Sequence, residues 1–344
     1  MRFLFIFALT GVVLGATPKN SAPVRERPRP STPVFGEAAI TPILTLSRKR
    51  DSLEPEFAFD AKVGTQNVRL ILSTASYNSW VFGRVLTKVP RRMDTKARKS
   101  LFRGNDYTLA QYAKDVAVTA EKGDFNWKGR LWMNWAKPTE GGYTGVLGAG
   151  PYSDFKMDFA LVPKGDAMQL IANPNLDKLA EDVCRSNRFH ALQLTSEKYW
   201  EGKGEVGTHT PREEIFRLAT GSRLIQLDQA AWLAFVGNLR HVGVKTVAVA
   251  DSTGELLVTE CDESRDRFPI VKISIANISV NILPRDYLVQ LKDGKCHISV
   301  GPRPKGAEFS LLGAPFMRNV VSAFGKDGVK LCVPKTKIVA VDSK

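Results

Sequence analysis

The chain has 344 residues, 43% of them hydrophobic, and its 49 Lys and Arg outnumber its 35 Asp and Glu to give a net charge of +14. This apolar content excludes disorder throughout and is enough for a large buried core. The positive charge favours anionic partners such as sulfated glycans, acidic proteins or lipid headgroups.

The first 16 residues have the pattern of a secretory signal peptide: Arg2, an apolar stretch over residues 4–14, and the small residues Gly15 and Ala16. The apolar stretch is shorter than the ~20 residues that cross a bilayer, and no later segment reaches that length. We therefore expect a secreted protein without a membrane span. Export argues against a nucleic-acid partner and favours disulfides for the four cysteines, rather than a metal site or thiol catalysis. We predict no cofactor and no metal.

Residues 17–55 are rich in Pro, Ser and Arg and are predicted to form a basic leader outside the core. Within it, Arg48, Lys49 and Arg50 resemble a processing site, but they also fit ordinary linker charge, and the sequence leaves both readings open. Residues 335–344 are predicted to form a C-terminal tail.

From Phe57 onward, short apolar runs broken by Gly, Pro and Asn indicate an all-β protein with a few short helices. Alternating apolar and polar residues on either side of Ala276 and Asn277 predict a hairpin of residues 271–275 and 278–282. Asn277 also begins an Asn-Ile-Ser glycosylation sequence, which has meaning only in an exported protein.

Two helices are predicted, at residues 175–186 and 229–240. In the second, five apolar residues can share one face: Ala230, Ala231, Leu233, Val236 and Leu239.

A faint internal repeat suggests two lobes with one plan. An apolar strand that runs into a turn of Thr, a small residue and Ser occurs at residues 70–76 and again at 215–222. Each copy is followed later by two apolar residues and Gly, at 146–148 and at 311–313.

Four segments, at 60–66, 73–81, 145–150 and 311–324, resemble in order the motifs of the pepsin-like aspartic proteases. The likeness extends from Phe57 to Pro334. It implies an all-β, bilobal pepsin-like fold, with an N-terminal lobe at 56–196, a C-terminal lobe at 197–334, and a cleft between them for an extended peptide.

The family hydrolyses peptides with two aspartates that share one proton, one acting as base on water and the other polarising the scissile carbonyl. Ser73 and Ala219 stand at those two positions here. A serine hydroxyl is no base at acid or neutral pH without an acceptor, and alanine has no titratable group. Hydrolysis by the family mechanism is therefore not expected. The resemblance assigns these residues to the cleft: Ser73, Thr74, Ala75, Ser76, Ala219, Thr220, Gly221, Ser222 and, as a candidate flap residue, Tyr107.

In the family a disulfide brackets the equivalent of the 271–282 hairpin. The resemblance therefore implies that Cys261 pairs with Cys296, and Cys184 is then expected to pair with Cys332.

The sequence offers two other interpretations of the site. Ser73 could be a nucleophile rather than a structural replacement, but none of the four histidines (His190, His209, His241 and His297) lies in a motif beside it. Asp251, followed by Ser, Thr and Gly, resembles the second aspartate motif with one residue inserted, although even this alignment leaves Ser73 opposite and the pair broken.

The sequence thus favours a secreted, monomeric, non-catalytic relative of aspartic proteases that binds an extended peptide or protein in its cleft. One alternative is an active aspartic endopeptidase with an unconventional site. Another is an interaction protein that binds anionic partners through a basic face, although the same charges fit a solvated loop: Lys88, Arg91, Arg92, Lys96, Arg98, Lys99 and Arg103.

Overall fold

The structure is a computed structural model and describes residues 42–47, 57–82, 92–102, 105–134, 143–165, 167–207, 211–251, 254–261, 267–291 and 294–335. For residues 92–112, 114 and 249–258, it describes at most the course of the backbone. Several predictions fall outside the described residues: the signal peptide, most of the leader, the Arg48–Arg50 site, His209, the basic residues Lys88, Arg91 and Arg103, and the tail after residue 335.

The predicted all-β class is confirmed, because strands make up most of the regular structure. The strands of the first half are β1 Leu44–Ser47, β2 Ala58–Val63, β3 Gln66–Ser73, β4 Ser79–Phe82, β5 Arg92–Phe102, β6 Asn105–Ala120, β7 Asn126–Asn134, β8 Gly145–Gly148, β9 Phe159–Lys164, β10 Ala167–Ala172 and β11 His190–Leu192. Those of the second half are β12 Glu201–Val206, β13 Arg212–Leu218, β14 Ile225–Leu227, β15 Val247–Asp251, β16 Gly254–Glu260, β17 Val271–Ile275, β18 Ile278–Ile282, β19 Leu288–Gln290, β20 Lys295–Ile298, β21 Val300–Pro302, β22 Ser310–Leu312, β23 Val321–Gly325 and β24 Gly328–Cys332. The helices are α1 Leu176–Val183, α2 Gln229–His241, α3 Pro284–Tyr287 and α4 Ala314–Met317.

Three sheets organise these strands. A 13-stranded sheet has the order β11-β24-β23-β9-β10-β1-β2-β3-β8-β4-β7-β6-β5, and an additional β2–β6 pairing closes six of its strands into a ring. A 7-stranded sheet has the order β18-β17-β12-β13-β22-β14-β21, and a 4-stranded sheet has the order β15-β16-β20-β19. Because β23 pairs with β9, strands from the end of the chain complete the sheet that the first half begins.

The same order of strand pairing occurs twice. β3 pairs in parallel with β8, β8 pairs antiparallel with β4, and β4 pairs in parallel with β7. In the second half, β13 pairs in parallel with β22, β22 antiparallel with β14, and β14 in parallel with β21. The apolar segments that follow each copy of the sequence repeat, at 146–148 and 311–313, thus lie beside the two repeated strands.

Each of these two segments passes so close to the turn within its own repeat that only glycine fits there. A Cβ on Gly148 would lie within 3 Å of the carbonyl oxygens of Ser76 and Asn78, and a Cβ on Gly313 would lie equally close to that of Ser222. Gly313 has φ −83°, which any residue adopts, so lack of space is the reason for glycine there.

The predicted hairpin and both predicted helices are confirmed. β17 and β18 pair around Ala276 and Asn277, whose φ angles of 51° and 58° are those of a two-residue hairpin turn. Asn175 and Asp228 cap α1 and α2 by accepting hydrogen bonds from backbone N–H groups. No helix of the described residues is long and apolar enough to cross a membrane.

The predicted buried face of the second helix is wrong for Leu233, which is 57% exposed. The core side of α2 instead includes Trp232 and Phe235, whose rings stack with 5.9 Å between centroids. These large rings turn the helix so that residues 231, 232, 235 and 239 face inward.

The predicted leader is wrong for residues 44–47, which form β1 in the middle of the 13-stranded sheet. Leu44 and Leu46 are buried there, and β1 pairs with β10 and β2. The two leucines alternate with polar residues, so both point to the buried face of the sheet. Their burial stabilises a strand here despite the polar composition of the surrounding segment.

Both expected disulfides are present, Cys184–Cys332 and Cys261–Cys296. The first joins the end of α1 to the last residue of β24, and the second joins a residue just after β16 to the neighbouring strand β20.

The crowding at Gly313 predicts a large effect of one methyl group. Gly313→Ala should lower the free energy of unfolding by about 3 kcal/mol or more, because backbone atoms cannot move aside as side chains do. The matched control is Gly237→Ala on α2, where an added Cβ meets nothing within 4 Å and should stabilise the helix by about 0.5–1 kcal/mol. Urea unfolding of both variants measures this, and equal effects would contradict the described close approach.

Candidate functional site

Two matching turns form the centre of the candidate site. Ser73 is the last residue of β3, and Ala219 follows the last residue of β13. In each turn the residue three positions later donates its N–H back, from Ser76 to the Ser73 carbonyl oxygen (3.3 Å) and from Ser222 to that of Ala219 (2.9 Å). The two sequence copies thus close their turns with the same backbone hydrogen bond.

Thr74 and Thr220 hold the two turns together through reciprocal hydrogen bonds. The N–H of Thr74 donates to Thr220 Oγ1 (3.0 Å), and the N–H of Thr220 donates to Thr74 Oγ1 (3.1 Å). Each hydroxyl then donates across to the other strand, Thr74 to the Leu218 carbonyl (2.9 Å) and Thr220 to that of Leu72 (2.6 Å). Both threonines are fully buried, so this network fixes Ser73 and Ala219 near each other.

Above the threonines lies a cavity of about 310 Å³ that both turns line. Of the residues predicted for the cleft, five lie in its wall: Ser73, Ala75, Ala219, Gly221 and Ser222. Ser76 lies behind this wall, where its hydroxyl donates to the Asn78 carbonyl at 3.0 Å.

Two other candidates lie elsewhere. Tyr107 is in β6, which forms a long hairpin with β5, and its backbone pairs with Ser100. For Tyr107 the structure describes the backbone alone. Asp251 ends β15 and pairs with Gly254 in the 4-stranded sheet, whereas Ala219 follows a strand of the 7-stranded sheet. Ala219, not Asp251, is therefore the residue held beside Ser73.

The walls of this cavity contain no carboxylate among the described residues. They consist of small and apolar residues, two cations and one amide: Ser73, Ala75, Arg217, Ala219, Gly221, Ser222, Gln226, Pro304, Lys305, Gly306, Ala307, Phe309 and Leu311. Without two carboxyl groups, the lining does not provide the shared proton of acid proteolysis.

Arg217 forms one wall and was missed as a site residue in the sequence. Its guanidinium carbon lies 3.4 Å from the ring centroid of Tyr199 and 3.5 Å from that of Phe309. Nε and Nη2 both contact Glu201 Oε2, at 2.8 and 2.7 Å. A charge two residues before Ala219 in an apolar strand was the available signal, because residues i and i+2 share one face of a strand.

The described histidines do not provide Ser73 with a base. His190 lies at the edge of the 13-stranded sheet and His241 at the exposed end of α2. His297 is buried, and burial together with the charge of Arg223 lowers its pKa to about 3. None of the three lines the cavity.

Glu214 is a buried carboxyl group on β13. Its Oε2 accepts hydrogen bonds from the Ser310 hydroxyl and from the N–H of Asp228, and Oε1 has no partner among the described atoms. Burial raises its pKa above the ordinary value, and this effect outweighs the opposing hydrogen bond from Ser310.

The threonine network predicts a clear stability loss. Thr74→Val or Thr220→Val leaves one buried N–H and one buried carbonyl without a partner, which should cost about 2–5 kcal/mol. Thr45→Val, at an exposed position of β1, is the control and should change stability by less than about 0.5 kcal/mol. Urea denaturation measures the free energy of unfolding of each variant, and the m-values should stay unchanged. If neither Thr74→Val nor Thr220→Val loses more stability than Thr45→Val, the network does not have this role.

The raised pKa of Glu214 predicts a pH-dependent stability. The folded state binds this proton more tightly than the unfolded state, so the contribution is full below the unfolded pKa and is lost as pH rises through the folded pKa. Glu214→Gln, which stays neutral, should remove that loss, so its melting temperature should fall less between pH 4 and pH 7 than that of the wild type. Glu205→Gln, on the exposed part of β12, should leave the wild-type pH dependence in place; a Glu214→Gln profile identical to wild type would contradict the assignment.

Comparison with known proteins adds no identification: no protein-family model matches the chain, and no curated protein matches it significantly.

Proposed function

We propose that this chain is a secreted, bilobal, pepsin-like protein that has lost aspartic-protease chemistry and binds an extended peptide in its central cavity. The proposal is supported by the repeated strand pairing, by the reciprocal threonine bonds that link the two repeats, and by the resemblance of both turns to the family's motifs. The two disulfides fit an exported protein.

The observation that carries the proposal is the composition of the cavity floor. Ser73 and Ala219 occupy the two positions where the family has its aspartates, and the described lining has no Asp or Glu that could replace them. The cavity itself remains, with about 310 Å³ of space between the turns. An extended peptide could bind there through its backbone hydrogen bonds, as in other strand-like recognition.

The basic-face alternative has less support. Arg92, Lys96, Arg98 and Lys99 all lie on β5, which is the edge strand of the 13-stranded sheet. Positively charged residues on an edge strand prevent its pairing with the sheet of another molecule. Protection against aggregation therefore explains these charges without any ligand. If this face is instead the functional surface, retention on heparin should be strong and should disappear when Arg91, Arg92, Arg98 and Lys99 are made neutral.

The test of the proposed function is digestion of a peptide library at acid pH. The wild-type protein should leave the library intact, whereas the double variant Ser73→Asp, Ala219→Asp should cleave it, because the two turns already hold these positions together. Each single variant should be inactive, since one carboxylate does not form the coupled pair.

Cleavage by the wild-type protein that pepstatin blocks would contradict the proposal and favour an active endopeptidase. An inactive double variant that is folded and still fails to bind peptides would remove the support for a preserved cleft.

A further inference from the structure

A buried amide in the cavity wall lacks a partner. Gln226 is on β14, its side chain is only 3% exposed, and its Oε1 accepts no hydrogen bond from the described part of the chain. Gln226 also lines the cavity, and its amide carries two N–H donors from which a group in the cavity can accept a hydrogen bond.

The charges around Gln226 favour an anion as that group. Arg217 is already neutralised by Glu201, so its contribution to the net charge is small. Lys305, exposed at the rim, forms no ion pair with a carboxylate of the described residues. With no acid in the described lining, the cavity combines a buried donor, an unneutralised ammonium and a strongly basic protein surface.

The remaining walls suit an aliphatic chain rather than a bare ion. Pro304, Ala307, Phe309 and Leu311 give the cavity an apolar side, against which methylene groups can pack. A volume of about 310 Å³ exceeds what a small inorganic anion needs. A carboxylate carried on a short aliphatic chain matches both parts of the wall.

We infer that this cavity binds the side chain of a glutamate within an extended peptide. The carboxylate accepts a hydrogen bond from the Gln226 amide and pairs with the Lys305 ammonium, and the side-chain methylenes pack on Phe309 and Leu311. The inference rests on the proposed function, that the cavity binds extended peptides, and adds which peptides it selects.

The test uses the full-length chain and fluorescein-labelled octapeptides in pairs that differ only by Glu or Gln at one position and have no other charged side chain, with that position moved along the peptide. Fluorescence polarisation should find one position where Glu binds about tenfold more tightly than Gln, as expected for a hydrogen bond to a charged group. Lys305→Gln and Gln226→Leu should each reduce this ratio, and the double variant should bring it to about one. Lys178→Gln, an exposed lysine on α1 outside the cavity wall, is the matched charge control and should retain the full ratio.

The outcomes separate this inference from the proposed function. Peptides that bind equally with Glu and Gln at every position would overturn the inference and leave the binding function standing. Peptides that do not bind at all would overturn both. If Gln226→Leu does not fold, the exposed Lys305→Glu variant provides the test instead. This variant should bind the Gln peptides better than the Glu peptides. A retained preference for Glu would overturn the inference.

Discussion

The reciprocal hydrogen bonds between Thr74 and Thr220 are the constraint on which this architecture depends. Each hydroxyl accepts from the backbone N–H of the opposite turn and donates to the strand that leads into that same turn, so neither turn has its full set of partners alone. Because both side chains are buried, water cannot replace a lost bond. The network therefore determines the distance between the two turns and holds the cavity floor in place.

Two residues at the ends of the linked strands, Ser73 and Ala219, determine which reactions the cavity floor can support. In the proposed function, Ser73 and Ala219 stand at the positions where the family has two carboxyl groups that share a proton, and neither side chain can take that role. Binding makes no such demand, since it needs only shape and unpaired hydrogen-bonding groups. Gln226 and Lys305 provide such groups at the wall, where the Arg217 guanidinium packs on the rings of Tyr199 and Phe309. A site of this kind can retain a ligand without transforming it.

Much of the fold follows from local patterns in the sequence. The alternation in residues 271–282 specifies the hairpin, and Asn175 and Asp228 mark the starts of two helices, because these signals act between near neighbours. The repeat of Thr, a small residue and Ser also located both turns. What the sequence does not disclose depends on distant contacts. β1 gains most of its pairing from β10, far along the chain, and the surroundings of Arg217 come from two separate segments, around Tyr199 and at Phe309.

The same distinction explains the partly wrong prediction for α2. Helical spacing identified an apolar stripe, but Trp232 and Phe235 bury more apolar area than Leu233, and the helix turns accordingly. Similarly, Gln226 has no distinctive sequence context. Its importance arises because Oε1 is buried without a hydrogen-bond partner among the described residues, and this depends on how the chain folds around it.

The most direct test of a cleft that binds without cleaving is hydrogen-exchange mass spectrometry of the wild-type chain at acid pH, with and without a pool of extended peptides. The account predicts slower exchange at residues 73–76 and 217–226 in the presence of the pool, with every peptide recovered at its original mass. Shortened peptides, or protection confined to other surfaces, would contradict it.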